Sequence, residues 1–323
     1  MHTTTATVPP RTQRRFMPEI QGLRAVAVGL VVLFHLWPTQ MPGGFVGVDV
    51  FFVISGYLIT SHLLRELDRT GSIRLGSFYA RRARRLLPAS LLVLAVSGVA
   101  AAVILPAQLA RASLREVIAG TFYVENLFLA SKAVTYSASN DTASPVQHYW
   151  SLSTEEQFYA LWPALILFAV WVAARAARRA GGTHSPRAAA AVALGLLAAA
   201  SLIHSIVLTD ADPAAAYFVT TTRAWEFGIG ALTSFVALRW TPRGPVAATM
   251  RWAGFAAIVA TSFLISQATP FPGRWLCGPS WGPPGSSWPV TRSPPTRSSA
   301  SGTCARCSGS ATSRMRSTCG TGP

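Results

Sequence analysis

Charge is scarce in this chain, lysine is almost absent, and cysteine is missing before Cys277. Only 12% of the 323 residues are charged while 50% are hydrophobic, a balance that excludes an ordinary water-soluble domain and points to a polytopic membrane protein. The formal charge of +16 would suggest nucleic acid in a soluble chain. Here 27 of the 28 basic residues are Arg and most lie between apolar blocks, where they serve as topology signals, so no nucleic-acid partner is expected. The single C-x-x-C, Cys304 and Cys307, is followed by no second pair and no His, which leaves no complete zinc site. No cleavable signal peptide is evident, because Met1 to Arg15 is polar and no small-residue cleavage site precedes Pro38. No internal repeat is visible, which counts against a transporter built from matching halves.

What is present is a series of apolar blocks about as long as a helix needs to cross the hydrocarbon core. They are Leu23–Trp37, Phe45–Leu64, Leu86–Leu105, Trp150–Ala174, Ala188–Leu208, Tyr217–Leu238 and Trp252–Ser266, with a weaker block at Leu114–Ala130 interrupted by Arg115, Glu116, Glu125 and Asn126. The expected fold is all-α, a transmembrane helix bundle with seven or eight spans and an irregular C-terminal tail. Basic segments lie at Arg11–Arg15, Arg65–Arg85, Arg175–Arg187 and Arg239–Arg251. By the positive-inside rule these and the N-terminus are cytoplasmic, in a multi-pass protein of the cell membrane. A full crossing at Leu114–Ala130 would put Arg175–Arg187 outside, so that block is predicted to be a re-entrant or tilted helix packed in protein.

Ionisable residues at membrane depth are functional candidates. Arg24 and His35 are 11 apart, hence about 16 Å apart along one helix and within roughly 20° of the same face. That spacing suits an elongated ligand entering from the cytoplasm better than direct contact between the two. Asp49, at the outer end of the second span, is a candidate partner for His35. Arg81, Arg82, Arg84 and Arg85 precede the third span and form either an anionic-lipid anchor or a phosphate clamp. Adjacent Glu155 and Glu156 could orient a base or bind sugar hydroxyls, or one could cap the helix start. His62, His148 and His204 read as ordinary packing residues. On these residues alone, a proton-coupled permease with His35, Asp49 and the Glu pair as a relay competes with an enzyme.

The stretches "PEIQGLRAVAVGLVVLFH", "GGFVGVDVFFVISGYLIT", "FYARRARRLLP", "WSLSTEEQFY" and "TRAWEFGIGAL" occur in the order and approximate spacing of the acyltransferase-3 family, which the chain resembles over roughly Phe16 to Ser266. That resemblance implies a membrane O-acyltransferase acting on cell-envelope carbohydrate or a related glycoside. Arg24 and His35 match the family's Arg, ten residues, His hallmark, and Arg81, Arg82 and Arg85 its basic cluster; Arg223 and Glu226 fall in the last matched motif. The implied donor substrate is acyl-coenzyme A, usually acetyl, with no resident cofactor or metal. Arg81 to Arg85 would take its phosphates, Arg24 would stabilise donor or developing charge, and His35 would act as general base or transient acyl carrier. The partners expected are therefore the bilayer, the acyl-coenzyme A donor and a carbohydrate acceptor.

Three regions follow: a basic N-terminus at 1–15, a membrane acyltransferase domain at 16–273, and a tail at 274–323. The tail holds all four Cys and six Arg, with no Asp, Glu or Lys, and reads as disordered. Codons permitted by Ser317 to Pro323 spell LYLWHWP when shifted back by one nucleotide, a string resembling this family's late-span motif. A frameshift near Gly273 and Arg274, leaving a C-terminally incomplete and inactive copy, is the expectation drawn from it.

Overall fold

Gly56 and Gly230 fix the centre of the bundle, because removing two side chains lets two helices touch backbone to backbone. In the computed structural model, which describes residues 17–135, 144–183, 185–240, 242–266 and 269, a Cβ on Gly56 would collide with the Phe227 carbonyl oxygen. One on Gly230 would strike the Val53 carbonyl oxygen. The helices so joined are α2 (Gly47–Thr70) and α9 (Ala224–Arg239), which run parallel. More than half of the apolar window of α2 is buried, against 11% for α1 (Pro18–Leu36) and 6% for α10 (Gly244–Leu264). Helix α2 is therefore the axis. The apolar faces of α1 and α10 remain uncovered by protein, as expected of helices that meet lipid.

Helix α6 (Tyr149–Arg179) runs parallel to α2, since Ser55 donates to Glu155 and Trp162 Nε1 donates to Thr60 at 2.8 Å further along both. Helix α3 (Leu75–Ile104) runs antiparallel to α6: Tyr79 donates to the Ala160 carbonyl at 2.6 Å and Tyr149 to that of Ser90 at 3.1 Å. Helix α7 (Pro186–Ala211) is antiparallel to α9, with the Trp225 amide donating to Ser201 Oγ at 2.9 Å. Local signals set the ends. Gly71, at φ 71°, closes α2 in the left-handed conformation that an L side chain adopts reluctantly, and Ser185 accepts from the Ala188 amide ahead of α7.

Among the described residues six helices are long and apolar enough to cross a membrane: α1, α2 with its preceding 3-10 turn, α3, α6, α7 and α10. They match six of the seven blocks expected to span. The seventh, Tyr217–Leu238, is not one helix. It is divided into α8 (Pro213–Phe218), a 3-10 turn at Thr220–Thr222, and the 16-residue α9. Three consecutive Thr lose side-chain freedom in a helix; the Thr222 hydroxyl bonds locally to the carbonyls of Ala216 and Val219, while that of Thr220 reaches Gln157 and accepts from Asn126.

The weak block is likewise divided, into α4 (Ala107–Thr121) and α5 (Glu125–Thr135), with Tyr123 at φ 55° in the break. Lys132 of α5 pairs with Glu116 of α4 at 2.7 Å, folding the two back on each other. Because α3 and α6 are antiparallel, this hairpin contributes no net crossing, in agreement with the re-entrant expectation. The regions read as a basic N-terminus and an irregular tail lie outside the described residues.

Candidate functional site

At the end of the bundle where α1 stops and α6 starts, a cavity of about 830 Å³ opens. Its wall is aromatic, with Phe34, Phe45, Trp150, Tyr217 and Phe218; Trp150 and Tyr217 lie 4.9 Å apart between ring centroids. Polar groups reach it from His35, Ser144, Gln147, His148 and Ser151. Among the described residues lining it there is no Asp, Glu, Lys or Arg.

His35 sits in the last turn of α1, and its Nδ1 lies 2.8 Å from the Val31 carbonyl. A carbonyl only accepts, so Nδ1 is the donor, and in the neutral form of the ring Nε2 keeps its lone pair. That is the tautomer a general base requires. Across the same cavity stands His148, at the residue before α6. Partial burial lowers its pKa below the ordinary histidine value, the His35 ring adds to the lowering, and a hydrogen bond to the Pro145 carbonyl opposes it. The sequence reading treats His148 as a packing residue; its place in this lining comes from tertiary packing.

Asp49 does not turn to His35. Its carboxylate pairs with Arg223 Nη1 at 2.6 Å, and the same nitrogen meets Glu226 at 2.9 Å. Arg223 and Glu226 are each 1% exposed. The guanidinium also donates to the Tyr217 carbonyl at 3.1 Å and lies 4.7 Å from the Tyr217 ring. The reason for the difference is charge. A buried carboxylate gains more from a guanidinium that cannot lose its proton than from an imidazole that can. The parallel packing of α2 on α9 brings Arg223 to the depth of Asp49, so the triad ties the cavity's aromatic floor to the bundle axis.

The four arginines of α3 do not act as one group. Arg82 turns inward, pairs with Glu156 at 3.1 Å and lies 3.0 Å over the Tyr159 ring. Arg81, Arg84 and Arg85 are exposed, with Arg84 Nε donating to the Ala80 carbonyl at 3.2 Å. Glu155 accepts from Ser55 and Tyr159. The Glu pair is thus brought together with Arg82, and neither carboxylate is among the residues lining the His35 cavity. Arg24 lies partly buried on α1, toward the opposite end from His35.

Asn126 and Gln157 form a partly buried polar cluster that had no sequence signal beyond polarity. Asn126 donates to the Phe218 carbonyl and Thr220, and accepts from Gln157 at 2.9 Å. These bonds hold the α8–α9 break against α5 and α6.

Bundle and cavity together define a polytopic membrane protein with a histidine-bearing aromatic site at one end. The chain belongs to the acyltransferase family described as "Acyltransferase domain", which matches residues 17–291. It is 37% identical over 228 residues to the peptidoglycan O-acetyltransferase OatA of Listeria monocytogenes, covering 70% of this chain and 35% of that protein. It is 35% identical over 222 residues to the "Putative peptidoglycan O-acetyltransferase YrhL" of Bacillus subtilis, covering 69% and 33%. The chain thus spans about a third of the length of the curated relatives it matches. No solved structure matches it.

Proposed function

We propose that the chain forms the membrane acyl-transfer part of an O-acyltransferase. In this reading it moves an acyl group, acetyl in the simplest case, from acyl-coenzyme A to a hydroxyl of a cell-envelope carbohydrate. The observation that carries the reading is His35, its Nδ1 2.8 Å from the Val31 carbonyl, at an aromatic cavity large enough for a sugar acceptor. His35 takes the hydroxyl proton as the acceptor oxygen bonds to the thioester carbonyl carbon. The tetrahedral intermediate then expels the thiolate, which recovers that proton from the imidazolium, so atoms and charge balance. Aromatic faces of Trp150 and Tyr217 suit the apolar faces of pyranose rings.

By the positive-inside reading, the His35 end is the outer one and the donor approaches from the opposite side. Arg82, held by Glu156 and Tyr159, and Arg24 are the cations assigned to the donor phosphates. Glu156 in this scheme positions Arg82, and Glu155 braces α6 against α2. The test is acyl transfer from acetyl-coenzyme A to an N-acetylglucosamine oligomer, in bilayers, by the chain with its reading frame restored after Gly273. His35→Ala is expected to abolish transfer without changing helix content or membrane insertion. Equal turnover in that variant would overturn the assignment.

A further inference from the structure

Two imidazoles border the cavity, and the acyl-transfer step described above uses one. His148 lines the same cavity as His35, and a neutral imidazole always keeps one ring nitrogen as an acceptor. The cavity therefore offers two imidazole acceptors and, among its described lining, no carboxylate and no cation. A ligand matched to it supplies two hydrogen-bond donors, carries no charge there, and covers aromatic faces. Neighbouring hydroxyls on a sugar ring meet all three requirements. A lone alcohol meets one donor site, and an anionic acceptor would find no counter-charge.

We propose that His148 is a positioning and specificity residue that binds a second hydroxyl of a polyhydroxyl acceptor while the hydroxyl to be acylated sits on His35. The proposal rests on the acyl-transfer reading for the role of His35, but its own content is acceptor binding. His148 stands where the chain turns into α6, two residues before Trp150, so the acceptor group and the aromatic wall are fixed by one helix start. Such placement makes orientation of the sugar, rather than its affinity alone, depend on a single side chain.

The experiment is a binding titration needing no turnover. The full chain in detergent is titrated calorimetrically with N-acetylglucosamine tetramer and, separately, with cyclohexanol as a single-hydroxyl probe. His148→Ala is expected to weaken tetramer binding about five- to tenfold, the loss of one neutral hydrogen bond, and to leave cyclohexanol unchanged. His148→Gln, which retains a side-chain acceptor, is expected to restore most of the loss, and melting curves verify that each variant is folded. Equal weakening of both probes, or none, would overturn the proposal, as would no tetramer binding by the unaltered chain. Failure of acyl transfer with an intact His148 effect would instead overturn the acyl-transfer reading alone.

Discussion

Replacing Arg223 by Met leaves Asp49 and Glu226 facing each other without their shared cation, in a place where Arg223 and Glu226 are each 1% exposed. Removing one partner of a buried ion set costs about 3–5 kcal/mol, and uptake of a proton by one carboxyl brings the expected loss toward about 3 kcal/mol. For a domain of this size about 2–4 °C of melting temperature goes with each kcal/mol, so the midpoint should fall by roughly 6–12 °C. The assay is tryptophan fluorescence during heating in detergent; the Trp150 ring lies 5.7 Å from the Arg223 guanidinium, and Trp225 stands between Arg223 and Glu226 in sequence. The triple variant Asp49→Asn, Arg223→Met, Glu226→Gln should recover most of the loss, because a neutral set of similar volume carries no unpaired charge. A single variant melting within about 2 °C of the parent, on the same size scaling, would show that the triad does not hold α2 to α9. A triple variant less stable than the single would refute the charge argument itself.

Gly56→Ala should destabilise by about 1–3 kcal/mol, since its Cβ meets rigid backbone at Phe227, whereas Gly22→Ala, with nothing within 4 Å, should be neutral or stabilising in the same melt. Arg82→Lys should weaken acetyl-coenzyme A binding several-fold, because Lys cannot keep the planar contacts with Glu156 and Tyr159. Arg84→Lys should bind as the parent does; equal effects of the two in equilibrium dialysis would return the cluster to a charge-only lipid anchor. Resequencing the codons for Ser317 to Pro323 should find LYLWHWP in the shifted frame, and any other string there ends the frameshift reading.

The spans were legible because a run of about 20 apolar residues has few alternatives to a crossing helix. The re-entrant hairpin was legible by elimination, since Arg175–Arg187 could not be placed outside. Breaks inside apolar runs were not. Tyr217–Leu238 reads as one apolar run despite its three consecutive Thr, and the turn at Thr220–Thr222 is held by bonds from Asn126, nearly a hundred residues earlier. The site was half legible. Arg24 and His35 share a helix, so their relation follows from 3.6 residues per turn. Asp49 with Arg223, and Arg82 with Glu156, are joined across 174 and 74 residues by the packing of α2 on α9 and of α3 on α6. No spacing rule reports those partners. The place of His148 beside His35 in one cavity lining is likewise set by tertiary packing, not by spacing.

The packing also orders the polar groups by depth, which bears on the donor. Gly47 of α2 lies beside Ala27 and Val31 of α1, and the two helices are antiparallel, so Arg24 comes level with about Phe52. Ser55 of α2 bonds Glu155, and the next residue, Glu156, holds Arg82, which sets Arg82 near the level of Gly56. At 1.5 Å per residue, Arg24 and Arg82 differ in depth by about 6 Å, while His35 is about 16 Å above Arg24. Two guanidiniums on different helices therefore occupy one stratum, well separated from the imidazole. A donor that met both strata would need its anionic end and its reacting bond roughly 16–22 Å apart. In the proposed reading, a thioester on a pantetheine-length arm would meet that separation and a small acyl phosphate would not.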